Sequence, residues 1–264
     1  MSVASAPQND FHELLVKVPQ ITALFWVTKI LATTFGETAG DALSMSLNLG
    51  YLVSTFIFAA IFIGAVFFQI RSKQYHPFLY WFTIIASTTV GTTLADFVDR
   101  SLGIGYIGGS TILLSLVCIS LWVWHKSEGS ITPHVVHQPR VELFYWLTIT
   151  FSQTLGTALG DWSADTAGLG YTGGIVLFSA LIVLIFLLYK FTKVSRTLLF
   201  WSAFVLTRPL GAVVGDFLDK PISSGGLDLS RFAASAVLLA AIYICVHWSH
   251  RKELQNSDHK IGTA

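Results

Sequence analysis

Four tryptophans set the frame into which this chain has to fold. Trp26, Trp81, Trp146 and Trp201 each follow an aromatic residue, and an aspartate stands fifteen residues after each of them: Asp41, Asp96, Asp161 and Asp216. Five residues before each Asp is a glycine: Gly36, Gly91, Gly156 and Gly211. The columns align without gaps from Trp to Asp. In the first three copies a Gly-Tyr pair follows, ending at Tyr51, Tyr106 and Tyr171; the fourth copy reads SGGLDL there. The Asp-to-Asp steps are 55, 65 and 55 residues, which marks two duplicated halves joined by the longer loop 126–140. Repetition on this scale means one supersecondary unit copied and packed against itself.

The units are written in apolar sequence. The chain is 53% hydrophobic and 12% charged, where a soluble domain carries about 25% charged residues. Eight apolar runs fall near 20–45, 49–70, 78–99, 104–125, 142–164, 170–190, 197–218 and 229–248. Each is long enough, or nearly so, to cross a hydrocarbon core of roughly 30 Å. The first and seventh are interrupted by ionisable residues. Long runs, rather than ten-residue alternating segments, make a helical bundle and not a barrel. The expected fold is an all-α integral membrane protein of about eight transmembrane helices in four two-helix repeats. With two helices per unit, every repeat enters from the same side, so the repeats are parallel. Three segments result: a terminal segment 1–19, a membrane domain 20–248 and a tail 249–264. Most Lys and Arg fall on one side of this arrangement; Arg100, Lys220 and Arg231 fall on the other. The positive-inside rule then places both termini in the cytoplasm. No cleavable signal peptide is read in the first residues. Asp10 and Glu13 suit the start of a short interfacial helix near 10–18. Cys118 and Cys245 each lie within a predicted helix and suit packing better than a disulfide.

The odd helices carry a polar stripe. Positions three, seven, eleven and fifteen after each Trp share one helical face. They read Lys29, Thr33, Glu37, Asp41; Ile84, Thr88, Thr92, Asp96; Ile149, Gln153, Thr157, Asp161; and Phe204, Arg208, Ala212, Asp216. The even helices are nearly all apolar. Odd helices are therefore expected inside and even helices against lipid. Tryptophans favour the membrane interface, which puts the Asp layer about 22 Å further along. The glycines suit close helix approach, and Pro209 is expected to bend the seventh helix.

Charge makes the stripe chemically odd. Glu37 and the four layer Asp residues face two bases in the same spans, Lys29 and Arg208. Each ionised group at mid-bilayer costs about 2.5–3.5 kcal/mol. Protonation, water from outside, or a bound cation would each relieve the excess. The competing reading makes each Asp a cap at the end of its helix, and pairs Glu37 with Lys29 or Arg208. Asp99, Asp165, Asp219 and Asp228 would make the outer mouth acidic. His125, His134 and His137, with His247 and His250, form a second cluster of metal-ligand type, without acid or Cys at tight spacing.

The T-x-G-x-x-x-x-D units Thr34–Gly36–Asp41, Thr89–Gly91–Asp96 and Thr154–Gly156–Asp161 resemble a bacterial family of uncharacterised membrane-anchored proteins built from a repeat of unknown function. The fourth unit departs, with Pro209 in the Thr position. The resemblance spans about residues 20 to 248. It implies a multi-pass protein of the bacterial inner membrane and no activity.

Three functions compete. The first is a cation transporter or channel, for a metal ion or coupled to protons, with the lipid bilayer and a small cation as its partners. The second is a scaffold or accessory subunit whose Asp residues cap helix ends. The third is an intramembrane aspartyl hydrolase, which needs two facing carboxylates sharing a proton; repetition of Gly-Asp argues against a single pair. No phosphate-cradling loop, nucleophile elbow or dinucleotide fingerprint is present, and neither a cofactor nor nucleic acid is expected.

Overall fold

The computed structural model describes residues 17–132 and 138–262. The interfacial helix expected near 10–18 lies almost wholly outside these residues, as do His134 and His137. Eight long helices follow one another: α1 (Ala23–Asp41), α2 (Gly50–Arg71), α3 (Pro77–Asp96), α4 (Gly105–Glu128), α5 (Pro139–Asp161), α6 (Gly170–Phe191), α7 (Arg196–Asp219) and α8 (Arg231–Gly262). Six of them, all but α1 and α5, are long and apolar enough to cross a membrane. α1 carries Lys29, Glu37 and Asp41, and α5 carries Arg140, Glu142, Gln153 and Asp161 among many Thr and Ser residues.

The helices begin where the sequence offers a start. Thr22 caps α1 through a hydrogen bond from the Phe25 N–H to its Oγ1 (3.3 Å), and Pro77 and Pro139 open α3 and α5. Proline at a first turn wastes no hydrogen bond, because that N–H has no helical partner. In the first three repeats the odd helix does not stop at its layer Asp. It widens into a five-residue π-turn, at Ala42–Ser46, Phe97–Ser101 and Trp162–Thr166. The even helix then starts from a glycine in the left-handed region: Gly50 at φ +75°, Gly105 at +75° and Gly170 at +64°. The fourth repeat instead closes through a short 3₁₀ turn, Ile222–Ser224. α7 runs as one helix through Pro209.

The odd helices form a closed inner ring, α1–α3–α5–α7 and back to α1. Each even helix packs against the inner helix of the following repeat: α2 on α3, α4 on α5, α6 on α7, and α8 on α1. A repeat is thus completed by its neighbour, which ties the four units into one body. The outer helices turn large apolar side chains outward, among them Phe56, Ile63, Val176, Phe186 and Val237.

Two cyclic rules hold the ring together. At one end, the aromatic residue before each Trp packs on the Trp of the next repeat. Phe25 meets Trp81 at 5.5 Å between centroids, Tyr80 meets Trp146 at 5.8 Å, Tyr145 meets Trp201 at 6.1 Å and Phe200 meets Trp26 at 5.8 Å. Trp81, Trp146 and Trp201 are buried in this layer, so three of the four face inward instead of forming an outer belt. The second rule concerns the glycines. Each one receives the stripe residue of the next inner helix: Gly36 receives Thr88, Gly91 receives Gln153, Gly156 receives Arg208 and Gly211 receives Thr33. A Cβ on Gly91 would lie 2.9 Å from the Gln153 Cβ, and on the other three it would overlap the neighbour. Absence of a side chain is what lets the axes approach.

Candidate ion-binding site in the inner ring

The stripe predicted from the Trp spacing lines the centre of the ring. Lys29, Thr33, Glu37, Asp41, Thr88, Thr92, Asp96, Gln153, Thr157, Asp161, Arg208 and Asp216 are all buried. Arg208 is the node. Its Nη1 donates to Glu37 Oε2 (3.1 Å) and to the Thr33 carbonyl (3.3 Å). Its Nη2 donates to Thr92 Oγ1 and Thr157 Oγ1, both at 2.5 Å, and to the Thr88 carbonyl (3.4 Å). One guanidinium on α7 therefore holds α1, α3 and α5 at once. The planar fork of arginine suits this task, and a lysine would not replace it.

Lys29 takes no part in this. Its ammonium has no hydrogen-bond partner and lies 4.1 Å from the centroid of the Phe204 ring. Of the two bases that might balance Glu37, Arg208 does so. Gln153 also stays apart from Arg208; its Nε2 donates at 3.5 Å to Ser87 Oγ.

The Asp layer is not a set of helix caps. Asp41, Asp96 and Asp161 make no side-chain capping hydrogen bond to the turns that follow them. They pair instead with two bases from the outer side, Asp41 and Asp161 across helices and Asp96 within its own repeat. Arg100 Nε contacts Asp96 Oδ1 at 2.9 Å, and its Nη2 contacts Asp161 Oδ2 at 3.2 Å. Lys220 Nζ contacts Asp216 Oδ1 at 3.2 Å and Asp41 Oδ2 more closely. Each base stands four residues after the Asp of its own repeat and bridges to the Asp of the next. The sequence did carry this signal, because residues i and i+4 share a helical face. The helical turn had to persist beyond the Asp for it to matter. The π-turn Phe97–Ser101 does this for Arg100, and a backbone hydrogen bond from the Lys220 N–H to the Asp216 carbonyl does it for Lys220 (2.9 Å). Lys220 thus joins Lys29 and Arg208 as a buried base, while Arg100 keeps 32% of its side chain exposed.

Arg231 adds a further pair, donating from Nε to Asp219 Oδ2 at 2.9 Å. Burial alone would lower the pKa of Lys220. The carboxylates of Asp216, Asp41 and Asp219 outweigh it and hold that ammonium well above the ordinary lysine range. Asp99 turns instead toward Gly109 of α4 and its oxygens accept no hydrogen bond. Asp165 is exposed and accepts from the Tyr106 hydroxyl at 3.4 Å.

Two carboxylate groups are placed to hold a metal ion. Glu37, Asp41 and Asp96 bring one oxygen each within 4.8 Å of one another, and so do Asp41, Asp216 and Asp219. Asp41 belongs to both. Histidine takes part in no such group among the described residues. His125 is exposed, and His247 stacks on Tyr243 with centroids 6.1 Å apart. Two surface grooves, of about 430 and 380 Å³, lie away from the acids, one at Phe78 and Tyr243 and one at His125 and Ser195.

The family model for the Repeat of Unknown Function (DUF347) matches four successive segments: residues 24–75, 79–130, 144–195 and 199–255. The chain belongs to this family. No curated protein and no solved structure matches it. Every DUF347 match opens two residues before the repeat Trp, so one unit comprises an inner helix and the outer helix after it. The bridging bases Arg100 and Lys220 fall inside the second and fourth DUF347 units.

Proposed function

We propose that this DUF347 protein is a multi-pass carrier for a small cation in the bacterial inner membrane, with both termini in the cytoplasm. One observation carries the reading: acids buried from the centre of the ring to its outer end outnumber the bases beside them. Glu37, Asp41, Asp96, Asp99, Asp161, Asp216 and Asp219 are buried there; their buried or half-buried basic neighbours are Arg100, Arg208, Lys220 and Arg231. In a bilayer such an excess calls for protons or a cation.

The geometry supplies two gates in this reading. The aromatic layer of Phe25, Tyr80, Tyr145 and Phe200 closes the cytoplasmic end. The Arg100 and Lys220 bridges close the outer end, and the Arg208–Glu37 pair separates the two. A cation arriving at the acidic mouth competes with the bridging bases for the layer carboxylates. Release of a bridge loosens one seam of the ring, and Glu37 is the acid next inward. This assigns Asp41, Asp96, Asp161 and Asp216 to binding, Glu37 and Arg208 to passage, and no residue to covalent chemistry. Asp161 is paired with Arg100, and Gly-Asp recurs at Asp41 and Asp216, which disfavours a hydrolase with a single catalytic pair.

A scaffold role is the second reading, and the tight glycine crossings favour it. A ring this closely packed is as suited to holding other subunits as to moving ions.

Ion flux in proteoliposomes under an imposed pH gradient separates the two. Wild type is expected to move protons or one of a panel of mono- and divalent cations, and Glu37→Gln to lose that flux. Folded protein that moves none of them is a scaffold.

A further inference from the structure

Arg100 and Lys220 perform one mechanical task with different chemistry. Arg100 offers a permanently charged, planar guanidinium whose separate N–H groups take Asp96 and Asp161. Such a fork is pre-organised and hard to displace. Lys220 offers a compact ammonium on a flexible stem, a point charge that resembles a bound metal ion more than a fork does.

The surroundings of the two bases also differ. Arg100 bridges two carboxylates, because Asp99 turns away toward Gly109. Lys220 sits by three. Asp41, Asp216 and Asp219 are 1%, 3% and 4% exposed, and one oxygen of each lies within 4.8 Å of the others. Asp219 Oδ2 is held by Arg231, while its buried Oδ1 accepts no hydrogen bond. A buried carboxylate oxygen without a partner is costly. Here it belongs to a cluster that already holds two cationic side chains, Lys220 and Arg231.

We propose that Asp41, Asp216 and Asp219 form a cation site whose resident occupant is the Lys220 ammonium, and that a hard divalent cation arriving at the acidic end displaces it. The proposal rests on the carrier reading and names its cargo class. Charge fixes the valence. With the ammonium swung out, three carboxylates and Arg231 leave two negative charges for the ion to match. Carboxylate oxygens select hard cations such as Ca²⁺ and Mg²⁺ over soft ones. Lys220 stands one residue beyond α7, where its stem can carry the head outward as the ion enters. Exchange of this kind takes the cluster from one residual negative charge with Lys220 in place to none with a divalent ion, and opens the α1–α7 seam only during the swap.

Calorimetric titration of the full chain in detergent with Ca²⁺, and separately with Mg²⁺, tests this. Lys220→Met is expected to bind one ion per chain on the order of tenfold more tightly than wild type. Adding Asp219→Asn should abolish the gain, and Arg100→Met should show none. The proposal is overturned if Lys220→Met binds no better than wild type, or if the gain survives Asp219→Asn. Should Lys220→Met fail to fold, wild type decides: acylation of Lys220 by a water-soluble amine reagent, read by peptide mass spectrometry, should speed up as Ca²⁺ or Mg²⁺ is added. An unchanged rate overturns the proposal. Flux is a separate measurement. Binding without flux removes the carrier and keeps the site; flux without binding does the reverse.

Discussion

The two ends of the inner ring follow different symmetries. At the aromatic end and at the glycine crossings, every seam obeys the same rule, four times over. At the acidic end only alternate seams are bridged by a base, Arg100 between α3 and α5 and Lys220 between α7 and α1. Between these ends lies a node that occurs once, Arg208 with Glu37. Packing thus kept the fourfold pattern of the ancestral unit, while charge was added unequally. A side chain that serves only to pack has no reason to differ among four equivalent positions. The positions that break the pattern are where a specific task resides.

The largest effect should come from the node. Arg208→Met leaves Glu37 buried without its partner, and loss of one member of a buried ion pair costs about 3–5 kcal/mol. It also removes the donor to Thr92 and Thr157, so three inner helices lose a shared tether. Thermal unfolding in detergent should show a large drop in Tm for Arg208→Met. Converting Glu37 to Gln in the same chain should restore part of it, because the unpaired acid is then gone. A Tm for Arg208→Met equal to wild type would mean that the centre of the ring does not depend on its singular pair.

Substitution of the glycines tests the symmetric half of the comparison. Gly36→Ala, Gly91→Ala, Gly156→Ala and Gly211→Ala each push a methyl group into the next inner helix. Overpacking of this kind costs about 1–3 kcal/mol. The cost should be smallest at Gly91, where the methyl would lie 2.9 Å from the Gln153 Cβ, and larger at the other three, while Gly64→Ala, which meets nothing within 4 Å on α2, should cost nothing. Losses of Tm no larger than that of Gly64→Ala would show that the ring does not depend on these crossings.

Much of this architecture was legible before any coordinate. The Trp, Gly and Asp columns gave the four units, and the four-residue spacing of the stripe put Thr33, Thr88, Gln153 and Arg208 on one level of the axis. What was not legible is how a repeat meets its neighbour. That α2 packs on α3, and α8 closes back onto α1, is a tertiary choice that no local pattern encodes. The same blindness left Arg100 and Lys220 without a task. Both were read only as basic residues on the outer side, and the continued turn is what brings the i+4 base onto the layer. The capping role of the Asp residues failed for the same reason: where the chain continues helically past Asp41, Asp96 and Asp161, there are no free N–H groups at that point to cap. Lys29, at the stripe position where the other repeats have Ile84, Ile149 and Phe204, has no hydrogen-bond partner and lies over the Phe204 ring.

The smallest expected effect sharpens the comparison at its symmetric end. Among the four aromatic seams, one carries a hydrogen bond: the hydroxyls of Tyr80 and Tyr145 lie 2.7 Å apart, where the other repeats have Phe25 and Phe200. This is a difference of one polar contact inside an otherwise equivalent layer. Tyr80→Phe makes the second repeat like the first and fourth. It keeps the ring stacking on Trp146 and removes a buried hydroxyl pair, which is worth about 1 kcal/mol. The Tyr145 hydroxyl loses its partner, so the change should lower Tm slightly and leave cation flux unaltered. If flux changes while Tm does not, the hydroxyl pair, and not the ring stacking alone, takes part in closing the cytoplasmic end. The hydroxyl pair would then join Arg208 and the two bridges as a position where the fourfold pattern was broken for function.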